Sequence, residues 1–255
     1  MTRIPLLALL LALLLGACAQ SPAGRQAATG APPVDTGDPW ENTNRRILDF
    51  NLAVDDCCIR PVALGYRDAV PSWVRTRVRN VINNMDEPRF VANNLLQGRP
   101  LAAGESLMRF FINSTMGLGG MFDMAQFGGP ERKPRDFGQT LHAWGLPGGP
   151  YLMLPIAGPS NPRDTVGMVT DGFLNPLNWL IPIWGIAARD VVWGIDAREQ
   201  TVEALDALRA ESLDFYARLR SVARQRRAAE LGLATPEGVG LDVLDDPGEE
   251  APPSR

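Results

Sequence analysis

The 255-residue sequence predicts an all-α body between residues 38 and 230. Two observations support this prediction: apolar residues recur at helical spacing, and Pro, Gly and N-cap residues mark where segments begin and end. The chain contains 25 Gly and 22 Pro residues, so much of its backbone lies in turns between these segments. Only 21% of the residues are charged and 45% are hydrophobic, a composition that excludes a disordered body.

Helix-boundary signals divide this body into consecutive segments. Asp38 is expected to be the N-cap of the first helix, with Pro39 at its first helical position, and Trp40 and Ile47 belong to its apolar stripe. Gly98 is expected just past the end of a later helix, where glycine is common. The same signals predict further helices over residues 72 onward, 88–97, 100–116 and 195–231.

Val74–Arg79 conflicts with this scheme, because Val or Thr alternates with Arg along it. Alternation with a period of two is typical of a β-strand, so the stretch alone is ambiguous. The flanking pairs Pro71–Ser72 and Asn83–Asn84 favour a helix, and we expect a helix here.

The N-terminus is typical of a secretory signal peptide over residues 1–17, with Arg3 before the apolar run Ile4–Leu15. That run is too short to span a bilayer. It ends in Leu15-Gly16-Ala17-Cys18, which resembles a bacterial lipobox and predicts Cys18 as a lipid anchor. The alternative is an ordinary signal peptide with a chance cysteine.

Residues 18–37 are rich in Ala, Gly, Pro, Ser and Thr and predict a flexible tether. Residues 231–255 are acidic, with Pro and Gly, and predict a disordered tail. The net charge of −4 argues against non-specific nucleic-acid binding, which requires excess positive charge.

Catalytic and metal-binding motifs are missing from the sequence, which contains no hydrolase, metalloprotease, phosphate-loop or dinucleotide pattern. The single His and three Cys give no zinc spacing, so no enzyme activity, metal or cofactor is expected. The adjacent Cys57 and Cys58 are either two small half-buried residues or members of a disulfide, and the sequence leaves this open.

Two apolar segments, Leu107–Met124 and Phe173–Ala188, exceed what an amphipathic surface helix needs. Each is either buried core or a surface for a membrane or a partner, and the tryptophans of the second suit a membrane interface. The candidate contact residues are Phe110, Phe111, Leu118, Met121, Phe122, Trp179 and Trp184.

Phe137–Pro150 is expected to be a loop, because it is punctuated by glycines and shows no helix or strand signal. A loop of this length inside a domain is often functional, although a plain surface loop is the alternative. Its candidate functional residues are Gly138, Trp144, Gly145, Gly148 and Gly149.

The end of the last predicted helix concentrates basic residues. These either face anionic surfaces or complement the negative end of the helix dipole. They are Arg218, Arg220, Arg224, Arg226 and Arg227.

A set of short motifs, in order along residues 38–193, resembles the MlaA (VacJ) family of lipoproteins. The sequence departs from the usual family pattern at Asn42–Thr43 and at Cys57–Cys58. The matching motifs are Asp38–Glu41, Asn44–Arg45, Phe50–Asn51, Glu87–Pro88, Asn93–Gly98, Arg109–Phe110 with Asn113, Asp136–Leu141, Gly149–Tyr151, Leu154–Pro155, Gly158–Ser160 and Arg163–Asp164.

The resemblance implies a single ring-like domain of amphipathic helices, embedded in one leaflet of the outer membrane and facing the periplasm. It implies a lipoprotein that associates with trimeric porins and passes mislocalised phospholipids from the outer leaflet towards a periplasmic carrier. A scaffold or assembly factor for porins without lipid transport is the alternative, and an enzyme acting on lipid or cell wall is disfavoured by the missing motifs.

The same resemblance gives the candidate residues their expected roles. The apolar segments would contact porin or membrane, and the glycine-rich loop would line or gate the lipid passage, a rigid turn being the alternative. Arginines on inward-facing helices would hold the lipid phosphate by bidentate contact.

Overall fold

The computed structural model describes residues 38–233, and helices dominate them, as predicted. The predicted signal peptide, the tether and all but the first three residues of the predicted tail lie outside this range. The helices are α1 (Glu41–Val54), α2 (Arg60–Ala69), α3 (Ser72–Leu96), α4 (Pro100–Thr115), α5 (Phe137–Ala143), α6 (Pro162–Leu174), α7 (Leu177–Leu180), α8 (Ile183–Gln200), α9 (Val202–Glu211) and α10 (Phe215–Glu230).

Three short elements connect these helices. A π-helical turn over Asp55–Ile59 joins α1 to α2, and a 3₁₀ turn over Met124–Gln126 follows α4. The antiparallel hairpin of β1 (Leu152–Leu154) and β2 (Gly158–Ser160) lies between α5 and α6, with Met153 opposite Pro159. The π-helical turn contains Cys57 and Cys58, whose sulfurs form a disulfide with each other.

The start of α1 differs from the prediction, because Asp38 does not cap the helix. Its carboxylate instead accepts hydrogen bonds from Asn44 Nδ2 at 2.8 Å and from the hydroxyl of Tyr216 on α10. Arg220 NH1 adds a third contact at 3.1 Å. The phenol of Tyr216 and the charge of Arg220, both on α10, therefore displace the local capping interaction, and α1 begins at Glu41.

The two segments expected at residues 72 and 88 are one 25-residue helix, α3, with Pro88 inside it. Proline has no N–H for the helix ladder, but its neighbours Glu87 and Phe90 are buried and hold the helix together by tertiary contacts. The stretch 74–79 is helical, as expected. The Gly98 prediction is confirmed: its φ is +70°, and the N–H of Arg99 donates to Asn94 O at 2.9 Å.

The helix expected over residues 195–231 is divided into the end of α8, α9 and α10. At the first break the hydroxyl of Thr201 donates to Ala197 O at 3.1 Å, a local bond that competes with the helix ladder. At the second, Asp214 takes the N-cap position of α10 and accepts from Ala217 N at 3.1 Å. Apolar residues at helical spacing continue across the second break, from Val202 and Leu208 to Phe215 and Leu219, which is why the sequence predicts a single helix there.

The body has a polar interior. Among the described residues, 16 polar or charged residues are buried, against 11 hydrophobic ones. On α4 the buried side includes Ser106, Arg109 and Asn113, while Met108 and Phe111 are exposed. A helix on the surface of a water-soluble protein buries its apolar residues and exposes its polar ones. On α4 this arrangement is inverted, so the body presents an apolar face outward there. Within residues 38–233, we find no helix with the length and apolar character needed to cross a membrane.

The crossing of α5 and α6 depends on two glycines that face each other. A Cβ on Gly167 would lie 2.4 Å from Gly138 N and 2.8 Å from Gly138 Cα, so only glycine permits this approach. A Cβ on Gly138 would lie 2.4 Å from Asp164 Oδ1. The glycines thus bring the N-terminus of α5 close to the acidic first turn of α6.

We expect Gly167→Ala to lower the free energy of unfolding by about 1–3 kcal/mol, since the added methyl group meets backbone. Gly172→Ala is the matched control on the same helix, because no atom lies within 4 Å of its Cβ. That variant should be about 0.5–1 kcal/mol more stable than the parent, owing to the helix propensity of Ala. Urea unfolding followed by circular dichroism measures both, and equal stabilities would contradict the close crossing.

Candidate functional site

A cavity of about 960 Å³ lies among α3, α6, α8, α10 and the hairpin. Each helix contributes one face to its wall. On α3, Ile82, Asp86 and Arg89 are spaced as i, i+4 and i+7, which places them on the same side of the helix. On α6, Asp164, Met168 and Asp171 repeat this spacing. The volume lies at the upper end of the range for ligand-binding cavities.

The wall of the cavity combines charged and apolar side chains. The apolar ones include Met168 and Trp193, both more than half exposed, and Ile156 at the tip of the hairpin. The cavity is therefore neither a purely aqueous channel nor a purely apolar pocket. Its charged residues are Asp86, Arg89, Asp136, Asp164, Asp171, Arg189, Asp190, Arg224, Arg226, Arg227 and Glu230.

Arg227 binds acids from three elements at one end of this cavity. Its guanidinium donates to both oxygens of Asp136 at 2.7 and 2.8 Å, to both oxygens of Asp164 at 2.9 Å, and to Glu230 at 2.8 Å. Burial raises the pKa of Asp164, but the hydrogen bonds from Arg227 and Arg163 outweigh it, so this pKa lies below its ordinary value. This network fixes the C-terminal end of α10 to α5 and α6.

The hairpin is held to α1 by two asparagines. Asn44 Nδ2 donates to Tyr151 O at 3.1 Å, and Asn44 Oδ1 accepts from Met153 N at 2.9 Å. Asn51 does the same further along, with Nδ2 donating to Leu154 O and Oδ1 accepting from Ile156 N. These contacts position the hairpin as one wall of the cavity.

Tyr151 joins the hairpin to α10 through its ring. The ring packs edge-on against Tyr216, with 6.0 Å between ring centroids, and the guanidinium of Arg224 lies 5.8 Å from its centroid. Burial raises the pKa of Tyr151 to about 12, so its hydroxyl is neutral at physiological pH.

The glycine-rich segment differs from its prediction, because residues 137–143 form α5 rather than a loop. Asp136 caps this helix by accepting from Gln139 N at 2.7 Å, a cap missed because glycines follow it so closely. Gly138 is buried at the crossing with α6. Only the residues after Ala143 are loop, and their length is ordinary for a connection.

The remaining residues of this segment lie beside the cavity rather than in its wall. Trp144 donates from Nε1 to Leu96 O at 3.0 Å and packs edge-on against Phe137. Gly145 and Gly149 have φ values of +88° and +80°, which require glycine. A Cβ on Gly148 would be in ordinary contact with the Asn161 side chain. The structure places Asp136, the N-cap of α5, in the cavity wall. The candidate glycines and Trp144 do not line the cavity.

The apolar candidates lie on the outside of the body. Phe111, Leu118, Met121 and Phe122 are exposed, and Phe110 is partly buried, with its ring 5.9 Å from that of Phe111. We call the exposed apolar residues of 107–127 the first apolar surface and those of 173–192 the second.

The second apolar surface contains two tryptophans. Trp179 and Trp184 are 72% and 74% exposed. Trp179 is anchored by a hydrogen bond from Nε1 to Phe173 O at 3.0 Å. Exposure of this extent excludes both rings from the protein core, the alternative that the sequence left open.

The basic end of the last helix has several roles. Arg220 and Arg227 bind acids of other elements, whereas Arg226 forms a local pair with Glu230 at 3.2 Å.

Sequence reasoning missed the acids of the cavity, although Asp136 and Asp164 stand within the family-like motifs. Their spacing to Arg227 in the sequence is too long for any local pattern to connect them. Within residues 38–233, no group of three His, Cys, Asp or Glu side chains is arranged to bind a metal ion.

Comparisons with known proteins confirm the resemblance. A sequence model of the MlaA lipoprotein family matches residues 36–230. The chain is 36% identical over 229 residues to the intermembrane phospholipid transport system lipoprotein MlaA of Escherichia coli (strain K12), covering 88% of this chain and 86% of that protein. It is 32% identical over 224 residues to the protein of the same name from Haemophilus influenzae (strain ATCC 51907 / DSM 11121 / KW20 / Rd), with 86% of each covered.

A solved structure is also similar. It comes from work on the structural basis for maintenance of bacterial outer membrane lipid asymmetry. The two chains are 35% identical and superimpose with a TM-score of 0.69, covering 76% of this chain and 98% of that one.

We expect Arg227→Gln to lower the free energy of unfolding by about 2 kcal/mol at pH 7, less than for a fully buried pair because Asp136 is partly in water. The loss should persist down to about pH 5 and shrink below about pH 4, since a carboxylate with a lowered pKa loses its stabilising contribution as it protonates. Arg226→Gln, which removes the neighbouring and exposed pair, should cost at most about 0.5 kcal/mol. Urea unfolding between pH 3 and 7 measures this, and equal losses for the two variants would contradict the network.

Proposed function

This chain belongs to the MlaA lipoprotein family, and from that membership we propose that it passes mislocalised phospholipids from the outer leaflet of the outer membrane towards a periplasmic carrier. It thereby maintains the lipid asymmetry of that membrane. The relatives compared above are proteins of intermembrane phospholipid transport, which supports the proposal. The observation that carries it is a charged cavity inside a body whose outer faces are apolar.

The cavity suits both parts of a phospholipid. A charged headgroup in hydrocarbon is costly, so its route through a membrane-embedded body has to offer charges and hydrogen bonds. The wall supplies these from helices on several sides, and nearby acids balance its arginines. Met168, Trp193 and Ile156 offer apolar contacts for acyl chains along the same wall.

The outer surfaces indicate how the body sits in a membrane. Both apolar surfaces are too extensive for a body surrounded by water, and no described helix is suited to crossing the bilayer. We therefore propose that the body is embedded in one leaflet, with Trp179 and Trp184 at the membrane interface. Cys18 would add the lipid anchor, and several acyl chains on one cysteine would give stable attachment.

The first apolar surface is the proposed contact with a trimeric porin. Gly119 and Gly120, at φ +72° and +92°, turn the chain after α4 and present Leu118 and Phe122 outward. A turn of this kind with exposed apolar side chains on both sides fits against another protein as well as against acyl chains. Gating by the loop around Gly145 and Gly148 remains a prediction, since that loop is next to the cavity but not in its wall.

We expect that Gly172→Trp blocks the passage while the protein still folds. Gly172 lines the cavity, and its Cβ would meet no atom within 4 Å, so an indole there occupies the cavity without a backbone clash. In a strain without the chromosomal gene, this variant should leave outer-leaflet phospholipid as high as in the deletion. An impermeant amine-reactive label, applied to whole cells, measures that phospholipid.

The matched control is Gly65→Trp, at an exposed position of α2 outside the cavity wall and both apolar surfaces, where a Cβ also meets no atom within 4 Å. This variant should restore asymmetry as fully as the parent chain. Full restoration by Gly172→Trp at equal membrane abundance would contradict transport through the cavity. If deletion of the gene left outer-leaflet phospholipid unchanged, the scaffold alternative would stand instead.

A further inference from the structure

One pair of opposite charges on the cavity wall is poorly satisfied by the protein itself. Asp86 and Arg89 lie three residues apart on the face of α3 that lines the cavity. Arg89 NH2 is 3.5 Å from Asp86 Oδ2, and Arg89 NH1 is 3.5 Å from Asp171 Oδ2. Both distances are longer than those of a charge-assisted hydrogen bond, which are about 2.7–2.9 Å.

The donors of Arg89 are largely unused. Among the described residues, no acceptor forms a hydrogen bond with its guanidinium, which lies 5.2 Å from the centroid of the Phe90 ring, and its buried Nε has no hydrogen-bond partner. A guanidinium has five N–H donors, and the Arg89 side chain, which is 25% exposed, lines the cavity. Arg227, in the same cavity, uses its donors on three carboxylates at 2.7–2.9 Å. The protein therefore takes up the donors of Arg227, whereas those of Arg89 remain available to a ligand in the cavity.

The two acids beside Arg89 differ in what they offer. Asp171 is satisfied, because it accepts from Asn93 Nδ2 at 2.7 Å and from Phe137 N at 3.0 Å, and burial raises its pKa. Asp86 accepts no hydrogen bond from the part of the chain described here and borders the cavity. The pair therefore presents an unused cation and an unused anion to the same space, about one helical turn apart.

We propose that Asp86 and Arg89 form a headgroup subsite for a zwitterionic phospholipid of the phosphoethanolamine type. The guanidinium of Arg89 donates to the phosphate, and the carboxylate of Asp86 accepts from the ammonium group. The inference rests on the proposed function and names the lipid class of that same cavity. An anionic phosphoglycerol headgroup fits less well. It has no ammonium group to bind Asp86 and to offset the repulsion between its phosphate and that carboxylate.

The test is a competition between two phospholipids with identical acyl chains, one with an ethanolamine and one with a glycerol headgroup. The purified full chain in detergent is mixed with equal amounts of both, and the retained lipids are quantified by mass spectrometry. The parent chain should retain the ethanolamine lipid preferentially. Asp86→Asn should lower that preference by about tenfold without weakening the binding of the glycerol lipid. Arg89→Gln should weaken the binding of both lipids.

The matched control removes an ion pair of the same kind outside the cavity, between Asp56 and Arg209, which are 3.2 Å apart and exposed. Asp56→Asn and Arg209→Gln should leave the preference unchanged. Asp86→Ser is a second variant at the critical position, in case the amide finds new partners.

Two outcomes overturn the inference and are distinguishable. If the parent chain binds phospholipid but Asp86→Asn and Asp86→Ser keep its headgroup ratio, or the parent shows no preference, the subsite is wrong and the proposed function stands. If the parent chain retains neither lipid, both the subsite and the proposed function fail.

Discussion

The arrangement of this protein depends on the neutralisation of one buried arginine, Arg109. It lies in a segment that is otherwise apolar, and its guanidinium donates to Glu87 at 3.1 Å, to both oxygens of Asp123 at 3.0 Å and to Pro130 O at 2.7 Å. A buried cation without such partners would cost several kcal/mol, so Arg109 fixes which side of α4 faces the protein. The opposite side, with Phe111, is therefore forced outward.

The same inversion extends to the rest of the body. Asn93, Thr140 and Asp171 connect α3, α5 and α6 through buried hydrogen bonds of 2.7 and 2.8 Å. Because polar groups hold the helices together, the body does not need a large apolar core. It can leave space among its helices for a cavity with a charged wall and keep its apolar side chains on the surface, where the proposed membrane insertion would cover them with lipid.

Local signals in the sequence were sufficient for the helical class and for the end of α3 before Gly98, but they left open whether the two apolar segments are core or surface. They failed where distant residues decide the structure. Asp38 is a good local N-cap, yet Asn44 and Tyr216 take its carboxylate. Pro88 is a good helix start, yet buried neighbours keep α3 continuous through it. The cavity acids could not be predicted because their partners on α10 are many residues away.

The central claim is that apolar faces of this inverted body lie in lipid. Variants that retain a single tryptophan, Trp179, Trp184 or Trp40, and carry Phe at the other five positions test it in vesicles whose acyl chains are brominated. Trp40 serves as the comparison because it lies beside the charged cluster of Asp38. The account predicts strong quenching of Trp179 and Trp184 fluorescence by bromine and weak quenching of Trp40. Equal quenching at the three positions would contradict it.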